Sequence, residues 1–397
     1  MTPATAKQRV RALFSDGVAD QLIALRRAIH ANPELSFQEY RTAESLFEAL
    51  RALGVSDIQR IGNTGLVARV RGRRAGAPTV AVRGDIDALP IQEATGLSFA
   101  STSPGVMHAC GHDVHAAWAV GAAALLIANP ADGDVLIVLQ PAEEIGKGAL
   151  AILDSGALDG AAAIFGGHVD RRFEVGQIVA DEGPLAASAD TFEIELDGTG
   201  AHAARPHESR DPIVAAAAVV TALQTIVSRR LNPATPGVVT IGTIQAGSAP
   251  NVIPDRANLS GTVRAIEPVS RQMMLDEVKR VAETVASGFG VEARVLLDRG
   301  TPPIVNPSEA TGWAKRAAAA VVGAENLVPL GFLNLAGEDF AHYMERMPGC
   351  FLRIGAREAG GAVIPAHAPT FYPAEESLFV GAAVLAECAR VASAAFS

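Results

Sequence analysis

Apolar and polar residues follow different rhythms in different parts of the chain. From residue 20 to 53 the apolar positions recur at helical spacing, with an interruption at His30-Ala31-Asn32-Pro33 and a glycine stop at Gly54. The rhythm then changes to short, unbroken apolar runs, each ending in polar residues. Thr79–Arg83 leads into Asp85 and Asp87, Asp134–Gln140 into Glu143 and Glu144, and Ala161–Phe165 into His168. Unbroken apolar runs are how strands covered on both faces read. An alanine-rich helix over 112–128 separates the first two runs, so strand, helix, strand predicts a layered α/β domain. In such sheets ligands gather outside the carboxyl ends of the strands, and all three runs place their titratable residues there.

From about 188 the pattern alters again. Asp190–Asp197 alternates as a half-exposed strand does, Asp211–Arg230 is an alanine-rich helix, and Gly237–Gln245 and Ala257–Ala265 read as strands. An amphipathic helix over Val269–Ser287 and a strand over Val291–Leu297 complete the order βαββαβ, the ferredoxin-like unit. After Pro302 the alanine-rich helical character returns, and the tail over 375–395 is a helix. The fold class expected is α/β with two domains: a large sheet domain from 1–186 and 301–397, and an inserted ferredoxin-like domain over 187–300. A length of 397 residues, more than one hydrophobic core ordinarily serves, agrees.

Charge and cysteine usage narrow the possible functions. A formal net charge of −10 without a basic stripe disfavours nucleic acid and anionic membrane as partners. Met1–Asp20 holds no apolar leader core and no run of about 18 apolar residues follows, so a soluble, cytoplasmic protein is expected. Three cysteines, Cys110, Cys350 and Cys388, make no disulfide framework and fit a reducing compartment. Cys350 and Cys388 read as buried thiols, and Trp118 and Trp313 as packing residues.

The candidate chemistry concentrates in Met107–His115, which brings His108, Cys110, His112 and His115 together. A thiolate and an imidazole two residues apart can meet a metal where a loop enters a helix, and zinc-like ions accept such ligands beside carboxylates. Alone, the stretch also describes a histidine-bearing loop near a buried cysteine. Glu143 and Glu144 are adjacent carboxylates at a strand end; they repel, so something positive usually holds them there. Alone, they would be a solvated acidic turn, and His168 and His367 taken singly would be ordinary polar residues. Jointly, Cys110, His112, Glu144, His168 and His367 offer five ligands, enough for two divalent ions that share one bridge. One glutamate of the pair can ligate while its neighbour takes a proton from water at the metal.

Taken together, the motifs make the chain similar to the M20 metallopeptidase family, in its amidohydrolase branch of hippurate hydrolases, N-acyl-amino-acid amidohydrolases and auxin-conjugate hydrolases. The resemblance is carried by Arg83–Pro90, Met107–His115, Gln140–Glu144, Gly167-His168, Gly200–His207, Ala249–Pro254, Gly261–Arg264, Ala336–Phe340 and His367–Pro369. It implies metal-dependent hydrolysis of the amide of small N-acyl amino acids, with two divalent ions (zinc, manganese, cobalt or nickel). It also implies a homodimer or higher homo-oligomer, with the inserted domain as lid and dimerisation domain. A dipeptide or another C–N bond is an alternative substrate for the same site. A non-catalytic member of the fold is a further alternative, against which Glu143 speaks, since a pure binder has no use for a base there.

By resemblance Cys110 bridges the two ions, with His112 and Glu144 assigned to one and His168 and His367 to the other. Glu143 is the general base and later protonates the leaving amine. Asp87 orients a ligand imidazole, although Asp87 and Asp85 also read as strand-end caps. His202 reaches the partner subunit's site and steadies the developing oxyanion. Asn251 and Arg264 bind substrate oxygens, beside their plainer readings as a turn residue and a surface ion pair. The chain departs from the family at Tyr372 and Ala374, where acidic residues are usual; this touches the substrate-side loop rather than the metals.

Overall fold

The computed structural model describes residues 6–332 and 334–396. The chain divides into two compact units. One is drawn from Met1–Gly183, Asn306–Phe332 and Asp339–Ser397, the other from Pro184–Val305 and Leu333–Glu338.

The first unit is built on a seven-stranded sheet in the order Ile58–Ile61, Gly65–Val70, Val135–Gln140, Val80–Asp85, Ala163–Glu174, Gly349–Arg357, Ile178–Val179. Its four middle-lying strands from Val135–Gln140 to Gly349–Arg357 run parallel, and antiparallel strands flank them. Val80–Asp85 and Val135–Gln140 are buried at every residue, as unbroken apolar runs require. The third run does not stop before His168. It continues to Glu174, because the parallel ladder with Gly349–Arg357 carries pairing through His168 and Asp170. Helices Asp16–Ala31 and Tyr40–Ala52 fill the first helical region, and Gly54 follows at φ 86°. Helix His112–Ala128 is buried nearly throughout, packed between the sheet and helices Asp16–Ala31 and Glu376–Ala395. Cys350, Cys388, Trp118 and Trp313 all lie in this core. Burial pushes the Cys350 thiol up to about 12 and raises that of Cys388, which keeps both unreactive.

The second unit is a four-stranded antiparallel sheet in the order Gly237–Ala246, Arg256–Ala265, Ala189–Asp197, Glu292–Thr301. With helices Pro212–Thr225 and Pro268–Gly288 the chain order is βαββαβ. Phe192, Ile194 and Leu196 point into the core shared with the helices, while Thr191 and Glu193 point outward. Two helices, Pro212–Arg230 and Glu376–Ala395, reach the length and mean hydropathy of a membrane span, which corrects the expectation that no such stretch exists. Both are alanine-rich helices lying on a core: 72% of the apolar window is buried in the second and 33% in the first.

Candidate metal centre

The register of the parallel strands gathers the candidate residues. Asp85 lies opposite Gln140, so the segments carrying Asp87 and Glu143-Glu144 leave the sheet side by side. Cys110 precedes the helix that begins at His112, and His168 stands within the neighbouring strand. The turn between Cys110 and His112 needs its glycine: Gly111 has φ 92°, and a Cβ there would stand 2.5 Å from Val169 Cγ2. His367 sits on the loop after Gly349–Arg357 with φ 68°, its N–H donating to Ala109 O at 2.8 Å.

Hydrogen bonds fix which imidazole nitrogen faces the cluster. His112 Nδ1 donates toward Asp87, 2.9 Å from its carbonyl and 3.2 Å from Oδ1. That leaves Nε2 facing the cluster, 3.8 Å from Glu143 Oε2 and 3.8 Å from Glu144 Oε1. His168 Nδ1 donates to the Val169 carbonyl at 2.6 Å, and its Nε2 lies 3.1 Å from Cys110 Sγ. His367 Nε2 is 3.6 Å from Glu144 Oε2. Two triads of ligand atoms share Cys110, namely Cys110, His112 and His168, and Cys110, Glu144 and His367; a third joins His112 with Glu143 and Glu144, and all distances in each are within 4.8 Å. The expected pairing of His112 with Glu144 is present in the third triad, while His168 and His367 each meet Cys110 in separate triads. His168 and His112 flank the buried sulfur, while His367 comes in on the loop side beside Glu144.

The electrostatics are those of a site built for a cation. Burial lowers the His168 imidazole well below its ordinary value, with His115 and Arg353 adding to the effect, so it is neutral and able to ligate. Burial, with the charge of Glu144, pushes the Cys110 thiol well up. A nearby cation is what turns such a thiol into thiolate. Burial works against charge on Asp87, but hydrogen bonds from His112, Ser36 and the Glu144 N–H hold its carboxyl below the usual range. His112 Nε2 and Glu144 Oε1 are buried with no hydrogen-bond partner. Buried polar atoms are rarely left so, and converging nitrogen, sulfur and oxygen donors suit a zinc-like divalent ion. The residues therefore fit a metal.

Other candidates lie in the second unit. His202 is on a two-residue strand paired with Val252-Ile253, exposed, its Nδ1 accepting from Ala204 N–H at 3.1 Å. Asn251 is beside it, its carbonyl accepting the Ala203 N–H at 3.1 Å. Arg264 is half-buried on Arg256–Ala265. The supporting layer in the first unit joins residues of several motifs whose mutual contacts the sequence does not show. His115 donates from Nδ1 to Asp85 at 2.6 Å and accepts the Val169 N–H at 3.0 Å, bracing the strand of His168. Arg83, buried, donates to Gln140 at 2.8 Å and Asp339 at 3.0 Å and pairs with Asp85. Tyr372, the departing residue, stacks on the buried Arg171 guanidinium at 4.4 Å and accepts from it through its carbonyl at 2.7 Å. The spacing of Asp113 and His115 within the metal motif was the one available signal for His115; nothing marked Arg171.

A mixed sheet with parallel central strands, beside which buried thiol, imidazole and carboxylate groups converge, defines a metal-dependent hydrolase. Within that class the chain belongs to peptidase family M20/M25/M40, whose family model matches residues 81–391. It is 42% identical over 379 residues to an N-acetylcysteine deacetylase of Bacillus subtilis (strain 168), covering 94% of this chain and 96% of the relative. It is 38% identical over 377 residues to an IAA-amino acid hydrolase of Arabidopsis thaliana, covering 93% and 86%. Among solved structures it is similar to a Bacillus subtilis dinuclear metal binding peptidase from the M20 family, with TM-score 0.83 and 38% identity over 95% of this chain and 99% of that one.

Proposed function

We propose that the chain hydrolyses the amide of a small N-acyl amino acid, with two divalent ions held by Cys110, His112, Glu144, His168 and His367. The observation that carries this reading is the pair of buried atoms, His112 Nε2 and Glu144 Oε1, without a hydrogen-bond partner and 3.8 Å apart beside Glu143. The two triads support His112 with His168 on one ion, Glu144 with His367 on the other, and Cys110 between them. Ions bound there would polarise the scissile carbonyl and lower the pKa of a water at the site. Glu143 takes a proton from that water and passes it to the amine nitrogen as the C–N bond breaks. Asp87 keeps the His112 ring in the tautomer whose Nε2 is free. Relatives named for an N-acetylated amino acid and for an amino acid conjugate support this substrate class.

The same proposal makes the first unit, within 1–186 and 301–397, the catalytic domain, and 187–300 the lid and dimerisation domain of a cytoplasmic homodimer. His202 then steadies the oxyanion in the partner subunit's site, and Asn251 and Arg264 hold substrate oxygens.

Two glutamine substitutions test the roles of the paired carboxylates, with turnover of an N-acyl amino acid panel and metal content both measured. Glu143→Gln keeps its shape but loses the base, so it should remain metal-replete while kcat falls by about 10²–10⁴. Glu144→Gln removes a ligand and should be metal-poor, with activity partly restored by excess metal. A Glu143→Gln enzyme with near-normal kcat would sink the mechanism.

A further inference from the structure

Residues 34–39 lie beneath the proposed base and have no place in the assignments above. Leu35 bridges to Ala88, and the Ala88 N–H donates to Glu34 O at 2.9 Å, which fastens the segment to the end of strand Val80–Asp85. Ser36 Oγ donates to Asp87 Oδ2 at 2.7 Å. Glu39, just ahead of helix Tyr40–Ala52, is fully buried, and its Oε1 accepts the Ala142 N–H at 2.9 Å. Asp87 in turn accepts the next two N–H groups, Glu143 at Oδ1 and Glu144 at Oδ2, both at 3.1 Å. Two buried carboxylates thus hold three successive backbone N–H groups of the turn that carries both catalytic-site glutamates.

That turn is under strain. Ala142 has φ 53°, the left-handed region, which costs a non-glycine residue about 1 kcal/mol or more unless its surroundings enforce it. The surroundings leave little slack. The Ala142 carbonyl accepts from Gly148 N–H at 3.1 Å, and a Cβ on Gly148 would stand 1.6 Å from Pro141 O. A carboxyl group in Glu39's place is costly, since burial pushes it up in pKa and the charge of Asp87 adds to that push. Packing alone would be served by an apolar side chain of the same size.

We propose that Glu39 is a positioning residue: by holding the Ala142 N–H it keeps the left-handed turn in place and so sets where the Glu143 and Glu144 carboxylates stand. This rests on the roles proposed above for those two residues, and zinc binding tests it independently of substrate.

The experiment compares Glu39→Gln, Glu39→Leu and Glu39→Leu with Ala142→Gly. It measures zinc affinity by chelator competition, kcat and KM on an N-acyl amino acid, and folding by circular dichroism. The amide of Glu39→Gln still offers an acceptor, so zinc affinity and kcat should stay within about threefold of the parent. Glu39→Leu should lose about 10–100-fold in zinc affinity and in kcat, with KM changed far less. Glycine adopts the left-handed turn without help, so adding Ala142→Gly should recover most of the lost zinc affinity. A folded Glu39→Leu protein with parental zinc affinity, or a loss that Ala142→Gly leaves untouched, overturns the proposal. Should Glu39→Leu not fold, Glu39→Gln decides: a drop of about tenfold or more in zinc affinity with the fold intact means that charge, not the accepted hydrogen bond, matters. If no substrate turns over while zinc affinity follows the expected order, the positioning stands and the assigned reaction fails.

Discussion

His30 shows how much charge this fold buries behind the candidate metal ligands. Its Nδ1 lies 2.9 Å from Asp113 Oδ2 and its Nε2 3.3 Å from Glu93 Oε1, while Arg26 Nε reaches the same Asp113 oxygen at 2.7 Å. Burial works against charge on the ring, as does Arg26, but Asp113 and Glu93 prevail and hold it up at about 9. The neighbouring His108 stays neutral because burial lowers it to about 3. A histidine whose folded pKa exceeds its unfolded 6.5 stabilises fully below pH 6.5 and loses that contribution as pH rises through about 9. The rise from 6.5 to about 9 corresponds to roughly 3 kcal/mol. Urea unfolding of the parent and of His30→Gln should therefore show a gap that is wide at pH 6 and mostly closed at pH 9.5. A gap independent of pH would remove His30 as the source. Neither this network nor Ser36 and Glu39 was legible in the sequence. Each is one side chain meeting another dozens of residues away, which leaves no periodicity to read. The five candidate ligands were legible because cysteine, histidine and paired glutamates cluster at the ends of apolar runs. Their grouping into triads was not, since it depends on how far each loop reaches across the strand ends.

At the scale of elements, a close contact joins the two most apolar helices of the first unit. Gly381 in Glu376–Ala395 faces Trp118 in His112–Ala128, and a Cβ there would stand 2.1 Å from Trp118 Cε3. The indole also stacks on His115, with centroids 4.3 Å apart, so displacing it disturbs the support of His168. Gly381→Ala should cost about 1–3 kcal/mol by overpacking. Gly288→Ala, with nothing within 4 Å, should stay within about 0.5 kcal/mol, as surface changes do. Equal unfolding midpoints for the two variants would contradict this close packing. Both helices were legible from composition, and so were the buried strands Val80–Asp85 and Val135–Gln140. The strand Gly349–Arg357 was not. Its apolar run is broken by Arg353, and it belongs to the sheet only through a partner strand, Ala163–Glu174, far back in the chain. The hairpin of Ile58–Ile61 and Gly65–Val70 was missed for a related reason: Gln59, Arg60 and Arg69 dilute its pattern.

For the molecule as a whole, the proposed exchange of His202 between subunits has a direct consequence. Mixing Glu143→Gln and His202→Ala chains, each inactive alone, should restore turnover once subunits exchange, because one site of each mixed dimer has both groups intact. No recovery despite demonstrated exchange would put His202 in its own chain's site or outside catalysis. The two-domain plan was readable because the βαββαβ order interrupts a chain that otherwise alternates buried strands and alanine-rich helices. The order of the large sheet has a further consequence for how the protein is made. Strand Gly349–Arg357 must slot in between Ala163–Glu174 and Ile178–Val179, and His367 follows it about 200 residues after His168. A ribosome therefore releases four of the five candidate ligands about 200 residues before the fifth. Before then the strand bearing His168 lacks one neighbour and the second triad lacks a member. The candidate cluster cannot be complete on a growing polypeptide until His367 has emerged, so any metal loading that needs all five residues waits for that point.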